Sequence, residues 1–284
     1  KESAMIRKQT TGRGFYSFLD DAYKNFDDKK ESLAAGMKKA AAEIFARCNL
    51  IVSYTADDKG YELMSGLIKE LIDKLSAEQL PVATRALTLK KTRLALKTSG
   101  QVNFVCRVGD YDKAGIEYNG AMRILAKMMN SDYLWNNIRV KGGAYGCGAA
   151  FGSYSSSLGA FSSYRDPNLE KTNEIYDKAP EYVESFNADE REMTKYVIGT
   201  ISDLDLPKTP SVKGSDSFEA YISGLTEQML QKERDEVLGA TVEDIRALSG
   251  MVKAVLDDGY FCVVGNEDKI NEAKDMFDVI EPLA

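Results

Sequence analysis

The spacing of apolar residues divides the chain into amphipathic helices and short strands. Apolar side chains recur every three or four positions over several stretches, which predicts helices with one buried face. These predicted helices cover residues 12–28, 31–47, 58–75, 112–129, 131–139, 168–186, 189–201, 217–238, 241–256 and 269–277. Short apolar runs and strict alternation instead predict strands at 49–55, 86–92, 101–108, 144–151, 158–164 and 260–264.

Polar residues mark the beginnings of some of these elements. Asp57 and Asp58 precede a predicted helix, and helix capping explains this acidic pair better than a metal or acid/base site does. Thr241, with Asp244 three residues later, resembles a capping box in which aspartate replaces the usual glutamate or glutamine. The run PKTPSVKG over Pro207–Gly214 predicts a loop.

One pattern occurs twice along the chain. An apolar strand, a polar turn, an Asp-Lys pair and a helix follow one another at 48–59 and again at 259–269, so that Lys59 and Lys269 correspond. A repeat at this distance indicates a duplicated domain rather than a solenoid. The irregular, basic stretch 76–98 is the expected boundary. We therefore expect residues 1–80 to close one unit, 81–284 to form a complete second unit, and the chain to begin inside a longer protein.

The stretch Leu134–Phe151 combines a helix end, a glycine turn and a strand. Gly142 and Gly143 are expected to end the helix, because glycine adopts positive φ at little cost. Arg139 and Tyr145 flank this turn, and both carry hydrogen-bond donors suited to carbonyl oxygens and developing oxyanions. Spacing alone leaves a second interpretation open, in which Arg139 caps its helix and Tyr145 packs.

Composition narrows the chemistry available to the chain. Its 284 residues carry a formal net charge of −7, which argues against nucleic acid or an anionic membrane as partner. The sequence contains no histidine, which excludes Ser-His-Asp and Cys-His catalysis within this chain and removes the usual zinc ligands. Its four cysteines form no metal-binding pair motif, and buried thiols would suit a reducing compartment such as the cytoplasm.

Two runs of residues suggest a family. The first is Ile138-Arg139-Val140-Lys141-Gly142-Gly143-Ala144-Tyr145-Gly146, preceded by Leu134-Trp135, and the second is Ser163-Tyr164-Arg165-Asp166-Pro167-Asn168. Together they resemble the pitrilysin/insulinase family of zinc metallopeptidases, in particular its presequence-protease branch. The resemblance extends in element order over the whole chain and corresponds to the C-terminal half of such enzymes.

The resemblance implies a fold, a function and a set of site residues. The fold would be α+β, with two related α/β sandwich units of the LuxS/processing-peptidase type, each a mixed, largely antiparallel sheet packed by helices. Residues 1–80 would be the end of the third family-type domain and 81–284 the complete fourth. In that family the zinc motif lies in the N-terminal half, so this chain would hold no metal and zinc would be present only in the full-length enzyme.

For this half the resemblance implies that Arg139 and Tyr145 reach across a closed chamber to a peptide substrate, with Gly142 and Gly143 shaping the bend. The partners would be the peptide and the N-terminal catalytic half of the same polypeptide. The alternative is a catalytically inactive structural or peptide-binding module of a related complex.

Overall fold

The computed structural model describes residues 11–77 and 92–283, which divide into two compact units. One unit takes its described residues from the stretches Lys1–Lys90 and Lys208–Phe218. The other takes its described residues from Lys91–Pro207 and Glu219–Ala284. The assignment of these units to the third and fourth family-type domains stays a prediction.

The described residues form α-helices and strands with the following bounds. The helices are α1 (Arg13–Lys24), α2 (Phe26–Ile44), α3 (Asp58–Lys74), α4 (Ala121–Met128), α5 (Glu170–Asp177), α6 (Ala179–Glu184), α7 (Glu190–Leu204), α8 (Pro210–Ser223), α9 (Glu227–Leu238), α10 (Val242–Ala247), α11 (Ser249–Asp257) and α12 (Glu267–Glu272). The strands are β1 (Arg93–Thr98), β2 (Asn103–Asp110), β3 (Gly146–Ser153), β4 (Ser156–Asp166), β5 (Tyr260–Asn266) and β6 (Val279–Pro282).

Helices α1, α2 and α3 form most of the first unit. Asp57 caps α3 as predicted, because its side chain accepts a hydrogen bond from the Gly60 amide at 2.8 Å. The predicted strand at 49–55 is wrong: Arg47–Asn49 is a 3₁₀ turn and the next residues are irregular. A strand needs a neighbour to complete its hydrogen bonds, and the only bridge among this unit's described residues joins Ala46 to Ser76.

A six-stranded mixed sheet organises the second unit, in the order β3-β4-β2-β5-β1-β6. The first four strands pair antiparallel, whereas β1 pairs parallel with both β5 and β6. This arrangement confirms the predicted α+β class with a largely antiparallel sheet packed by helices. The edge strand β6 has no counterpart among the predicted elements, because four residues ending in proline give a weak strand signal. The predicted strand at 86–92 lies almost wholly outside the described residues.

Helices pack against one face of this sheet and enclose the core. Val255 of α11 lies directly on β2 and β4. A Cβ atom at Gly109 would stand 1.9 Å from the Val255 carbonyl oxygen, and one at Gly159 would stand 2.4 Å from Val255 Cγ2. Glycine at both positions therefore lets the helix approach the sheet. The largest wholly buried side chains of the core include Tyr111, Ile124, Leu125, Phe161 and Tyr176.

Helix boundaries follow local polar signals in this unit. The predicted capping box at Thr241 and Asp244 is present, and Asp189 with Glu192 forms a second one at the start of α7. The predicted loop at 207–214 is right for residues 207–209, which lack regular structure, and wrong from Pro210, where α8 begins. Proline suits the first turn of a helix, where its missing N–H has no partner to lose.

Candidate functional site

A glycine bend follows directly after a π-helical segment. Helix α4 continues through π-helical turns at Met129–Tyr133 and Trp135–Val140, anchored by the fully buried Leu134 and Ile138. Gly143 then has φ +80°, and its amide donates to the Arg139 carbonyl at 2.9 Å. A Cβ at Gly142 would come within 2.4 Å of the Ile138 carbonyl oxygen. Both glycines are therefore required by the backbone, as the sequence indicated.

Arg139 lies between two aromatic rings at this bend. Its guanidinium carbon is 4.8 Å from the Trp135 ring centroid and 5.4 Å from the Tyr145 ring centroid. One guanidinium nitrogen donates to the Ala144 carbonyl at a long 3.4 Å. The rings orient the guanidinium through cation–π contacts, and its other N–H groups have no protein acceptor among the described hydrogen bonds. Arg139 is half-buried rather than sealed in the interior.

Tyr145 lies at the surface, and the residue is 65% exposed. Alternation along 144–151 predicted that Tyr145 would share a face with Cys147, Ala149 and Phe151, and this is wrong. Ala149 and Phe151 face the core. Tyr145 precedes the regular strand, which begins at Gly146, so the alternation of faces along the strand does not fix its side chain. Tyr145 therefore lies largely in solvent and not in the helix-packed core.

A β-bulge in β4 holds the backbone of Tyr145 by hydrogen bonds. Between the pairs Asn103–Asp166 and Val105–Ser163, the strand β4 contains one residue more than β2, so Tyr164 and Arg165 together face Phe104. The Tyr145 amide donates to the carbonyl oxygens of both bulge residues, at 3.1 Å and 3.4 Å. The bulge thus fixes the backbone of the residue that carries the phenol.

The bulge also brings further aromatic and cationic side chains to the site. The Tyr164 ring lies 5.8 Å from the Tyr145 ring and 5.2 Å from the Phe104 ring, edge to face in both cases. The Arg165 guanidinium lies 5.5 Å from the Tyr164 ring and 5.9 Å from the Tyr145 ring. Sequence reasoning used the run containing Tyr164 and Arg165 only to identify a family. An extra residue in a strand leaves no periodic signal, so neither residue was assigned to the site.

A buried polar network lies under the bend. Asp166 is fully buried, and its carboxylate oxygens accept from the Asn168 amide at 2.8 Å and from the Thr172 hydroxyl at 2.7 Å. The Asn168 side chain donates onward to the Gly142 carbonyl at 2.6 Å. Asn103, also fully buried, donates to the Asp166 carbonyl at 3.0 Å. Hydrogen bonds therefore connect the centre of the sheet to the glycine bend.

Asn130 occupies the open edge of β3. Its side-chain amide donates to the Ala149 carbonyl at 2.9 Å, and its side-chain oxygen accepts from the Ala149 amide at 2.6 Å. The side chain thereby replaces one residue of a neighbouring strand and blocks pairing at this point of the edge. The nearby Cys147 thiol has a raised pKa because it is desolvated, although the charge of Arg139 opposes the shift. Desolvation therefore disfavours the reactive thiolate of Cys147, which packs against the core.

The described stretches contain no group of three or more histidine, cysteine, aspartate or glutamate side chains that could hold a metal ion. None of the helices in these stretches combines the length and apolar character needed to cross a lipid bilayer. The cytoplasmic location stays a prediction.

Comparison with known sequences identifies relatives over nearly the whole chain. The family described as the PreP C-terminal domain matches residues 93–266, which include the entire site. Protein HypA of Clostridium perfringens is 40% identical over 277 residues, covering 97% of this chain and 28% of the relative. Presequence protease 1, chloroplastic/mitochondrial, of Arabidopsis thaliana is 30% identical, covering 98% of this chain and 26% of the relative. The chain thus spans about a quarter of the length of these relatives.

Solved structures share the fold at much lower identity. A peptidase M16 inactive domain from Pseudomonas fluorescens superposes with a TM-score of 0.51 at 13% identity, covering 72% of this chain and 51% of the other. Likeness at this identity extends to the architecture alone.

Proposed function

The chain belongs to the PreP C-terminal domain family, and we propose that it forms the C-terminal, non-zinc-binding part of a zinc-dependent oligopeptidase that encloses and hydrolyses unstructured peptides. Arg139 and Tyr145 are proposed to bind the substrate and its transition state. The catalytic, N-terminal half of the same polypeptide would complete the chamber.

One observation carries this proposal: the two donors flank a rigid bend and are presented together at the surface. The Arg139 guanidinium carbon lies 5.4 Å from the Tyr145 ring centroid. The bend between the two residues contains Gly142 and Gly143, and the Asn168 side chain donates a hydrogen bond to the Gly142 carbonyl. An arginine that only capped its helix would not need an aromatic ring on each side. A tyrosine that only packed would not leave most of its ring in solvent.

The chemistry of these two side chains suits peptide hydrolysis. Attack on a peptide carbonyl moves negative charge onto the carbonyl oxygen, and donors already aimed at that oxygen lower the barrier because they need no reorganisation. A phenol supplies one O–H donor, whereas a guanidinium supplies several N–H donors and a positive charge. We assign the phenol of Tyr145 to the developing oxyanion and the guanidinium of Arg139 to substrate carbonyl groups.

The residues of this chain do not fit a zinc site. The sequence lacks histidine, and the residues that the structure describes offer no cluster of metal ligands. Zinc would therefore be held by another part of the polypeptide, and only hydrogen-bond donation is assigned to this chain.

The test is Tyr145→Phe in the full-length polypeptide, assayed on an unstructured peptide. Phenylalanine keeps the ring contacts with Arg139 and Tyr164 and removes only the donor. Because one oxyanion donor is worth about 3 kcal/mol in the transition state, kcat should fall about 100-fold while KM changes little. Tyr221→Phe is the matched control, since Tyr221 is 74% exposed on α8 and distant in sequence from the bend.

An unchanged kcat for Tyr145→Phe, with the fold intact by circular dichroism, would contradict the catalytic role. The alternative of an inactive structural or peptide-binding module would be supported instead if the unmodified full-length polypeptide bound the peptide without hydrolysing it.

A further inference from the structure

Arg165 has a backbone conformation that its own side chain disfavours. Its φ of +50° makes it the one residue other than glycine with positive φ in the described part of the chain. This left-handed conformation is disfavoured for any L-residue that carries a Cβ atom. Strain of this kind persists where the surrounding structure imposes it, and it is concentrated at functional sites.

Packing does not account for the arginine at this position. Arg165 is exposed, and the contacts that its guanidinium makes are with the faces of Tyr145 and Tyr164. The neighbouring carboxylate, Asp166, is fully buried and already accepts from Asn168 and Thr172. Ion pairs within the described stretches include neither Arg139 nor Arg165.

The bulge explains how Arg165 reaches the site. In a regular strand, adjacent residues point to opposite faces of the sheet. The extra residue in β4 interrupts this alternation, so that Tyr164 and Arg165 are both exposed and both contact Tyr145. The strained backbone therefore serves to direct a second guanidinium toward the residue that carries the phenol.

We propose that Arg165 is a substrate-binding residue that pairs with a carboxylate group of the bound peptide, adjacent to the peptide bond held by Arg139 and Tyr145. This inference rests on the proposed peptidase function and names a chemical preference of the same site. The carboxylate belongs either to an aspartate or glutamate side chain or to the free C-terminus of the peptide.

Charge and geometry favour a carboxylate over an apolar group. The chain has a net charge of −7, yet this surface presents two arginines that form no ion pair within residues 11–77 and 92–283. A guanidinium held over the face of an aromatic ring keeps the N–H donors at its edge free, and two of these donors match the two oxygens of a carboxylate.

The test uses the full-length polypeptide and measures how fast it hydrolyses quenched fluorescent peptides. The peptides are compared in pairs that differ by a single chemical group. One series replaces glutamate by glutamine at successive positions around the cleaved bond, and a second compares a free with an amidated C-terminus. The two series distinguish the two sources of the carboxylate. For the unmodified polypeptide we expect KM to be about 5- to 10-fold lower for the charged member of at least one pair, as befits one charge-assisted hydrogen bond.

Variants of Arg165 should remove this preference in a graded order. Arg165→Gln should equalise the two KM values, Arg165→Glu should reverse their order, and Arg165→Lys should restore part of the preference. Arg165→Gly should lose the preference while the fold becomes no less stable, because glycine relieves the strained φ. Arg191→Gln, an exposed arginine at the start of α7, is the matched control and should keep the preference.

The inference is overturned if the unmodified polypeptide shows no difference within any pair, or if the difference survives Arg165→Gln. Fluorescence anisotropy of labelled peptides with a free or an amidated C-terminus measures their binding to the full-length polypeptide separately from hydrolysis. A failure of the catalytic proposal would appear as an unchanged kcat for Tyr145→Phe, whereas a failure of this inference would appear as unchanged discrimination by Arg165→Gln.

Discussion

The two units use similar amphipathic helices but bury them differently. In the second unit the apolar faces of α4 and α11 lie against the sheet, α10 packs against these two helices, and residues such as Ile124 and Ile245 are inaccessible to solvent. In the first unit, Ala46 is the one buried residue among those that the structure describes. Leu63, Leu67 and other apolar side chains of its helices are mostly exposed.

This difference shows that an amphipathic pattern predicts a helix without showing whether its apolar face is covered. A period of three to four residues predicts a helix and its apolar face, but it does not identify the surface that covers that face. Many exposed large apolar side chains on neighbouring helices are typical of a surface that contacts another surface. We therefore expect the helices of the first unit to be covered in the full-length polypeptide.

The largest effect should come from creating a cavity in the covered unit. Ile124→Ala should lower the free energy of unfolding of the second unit by about 3–4 kcal/mol, because the removed methyl groups leave a void in a packed core. Trp135, the single tryptophan of the chain, lies in this unit, so its fluorescence during urea denaturation reports the loss.

Leu67→Ala in α3 provides the comparison, since Leu67 is 52% exposed. In the 284-residue chain it should cost less than about 1 kcal/mol, measured by amide hydrogen exchange along α3. In the full-length polypeptide the cost should rise toward that of a core residue. An equal, small cost in both would show that the apolar face stays exposed.

A medium effect should come from the polar network, which has no buried counterpart among the described residues of the first unit. Thr172→Val keeps the side-chain shape but removes the hydroxyl that donates to Asp166. Leaving a buried carboxylate oxygen without this donor should cost about 1–3 kcal/mol of unfolding free energy. Because the same network holds Gly142 through Asn168, kcat of the full-length polypeptide should also fall.

Ser65→Ala is the control in the first unit, where an exposed hydroxyl donates to the Glu62 carbonyl at 2.9 Å. It should change stability by less than about 0.5 kcal/mol, because water replaces an exposed partner. If Thr172→Val were as stable as this control, the polar network would not be what stabilises the bend.

Local signals explain most of what the sequence predicted correctly. Caps at Asp57 and Thr241 depend on residues three positions away, so helix starts could be read directly. The strand predicted at 49–55 was wrong because a strand forms only where a second strand, distant in sequence, pairs with it. The bend was predictable from Gly142 and Gly143, which have a strict backbone requirement.

The rest of the site depends on contacts between residues far apart in sequence. Asn103 meets Asp166 across 63 positions, and Asn130 meets Ala149 across an edge that only the sheet order defines. The direction of the Arg165 side chain depends on a bulge that adds one residue without altering composition. Such features follow from strand register, which a single sequence does not reveal.

The smallest effect should be a difference in thiol reactivity between the units. Cys48 is exposed in the first unit, whereas Cys106, Cys147 and Cys262 are partly buried in the second. Burial raises the pKa of all three latter thiols, so less of the reactive thiolate is present at pH 8. With an aromatic disulfide reagent, Cys48 should react about 10-fold faster than the others, because the three partly buried thiols combine a smaller thiolate fraction with restricted access. Cys48→Ser should remove the fast phase and Cys262→Ser should keep it. A fast phase that survives Cys48→Ser would show that the second unit opens more readily than its core suggests, and would reverse the contrast between the two units.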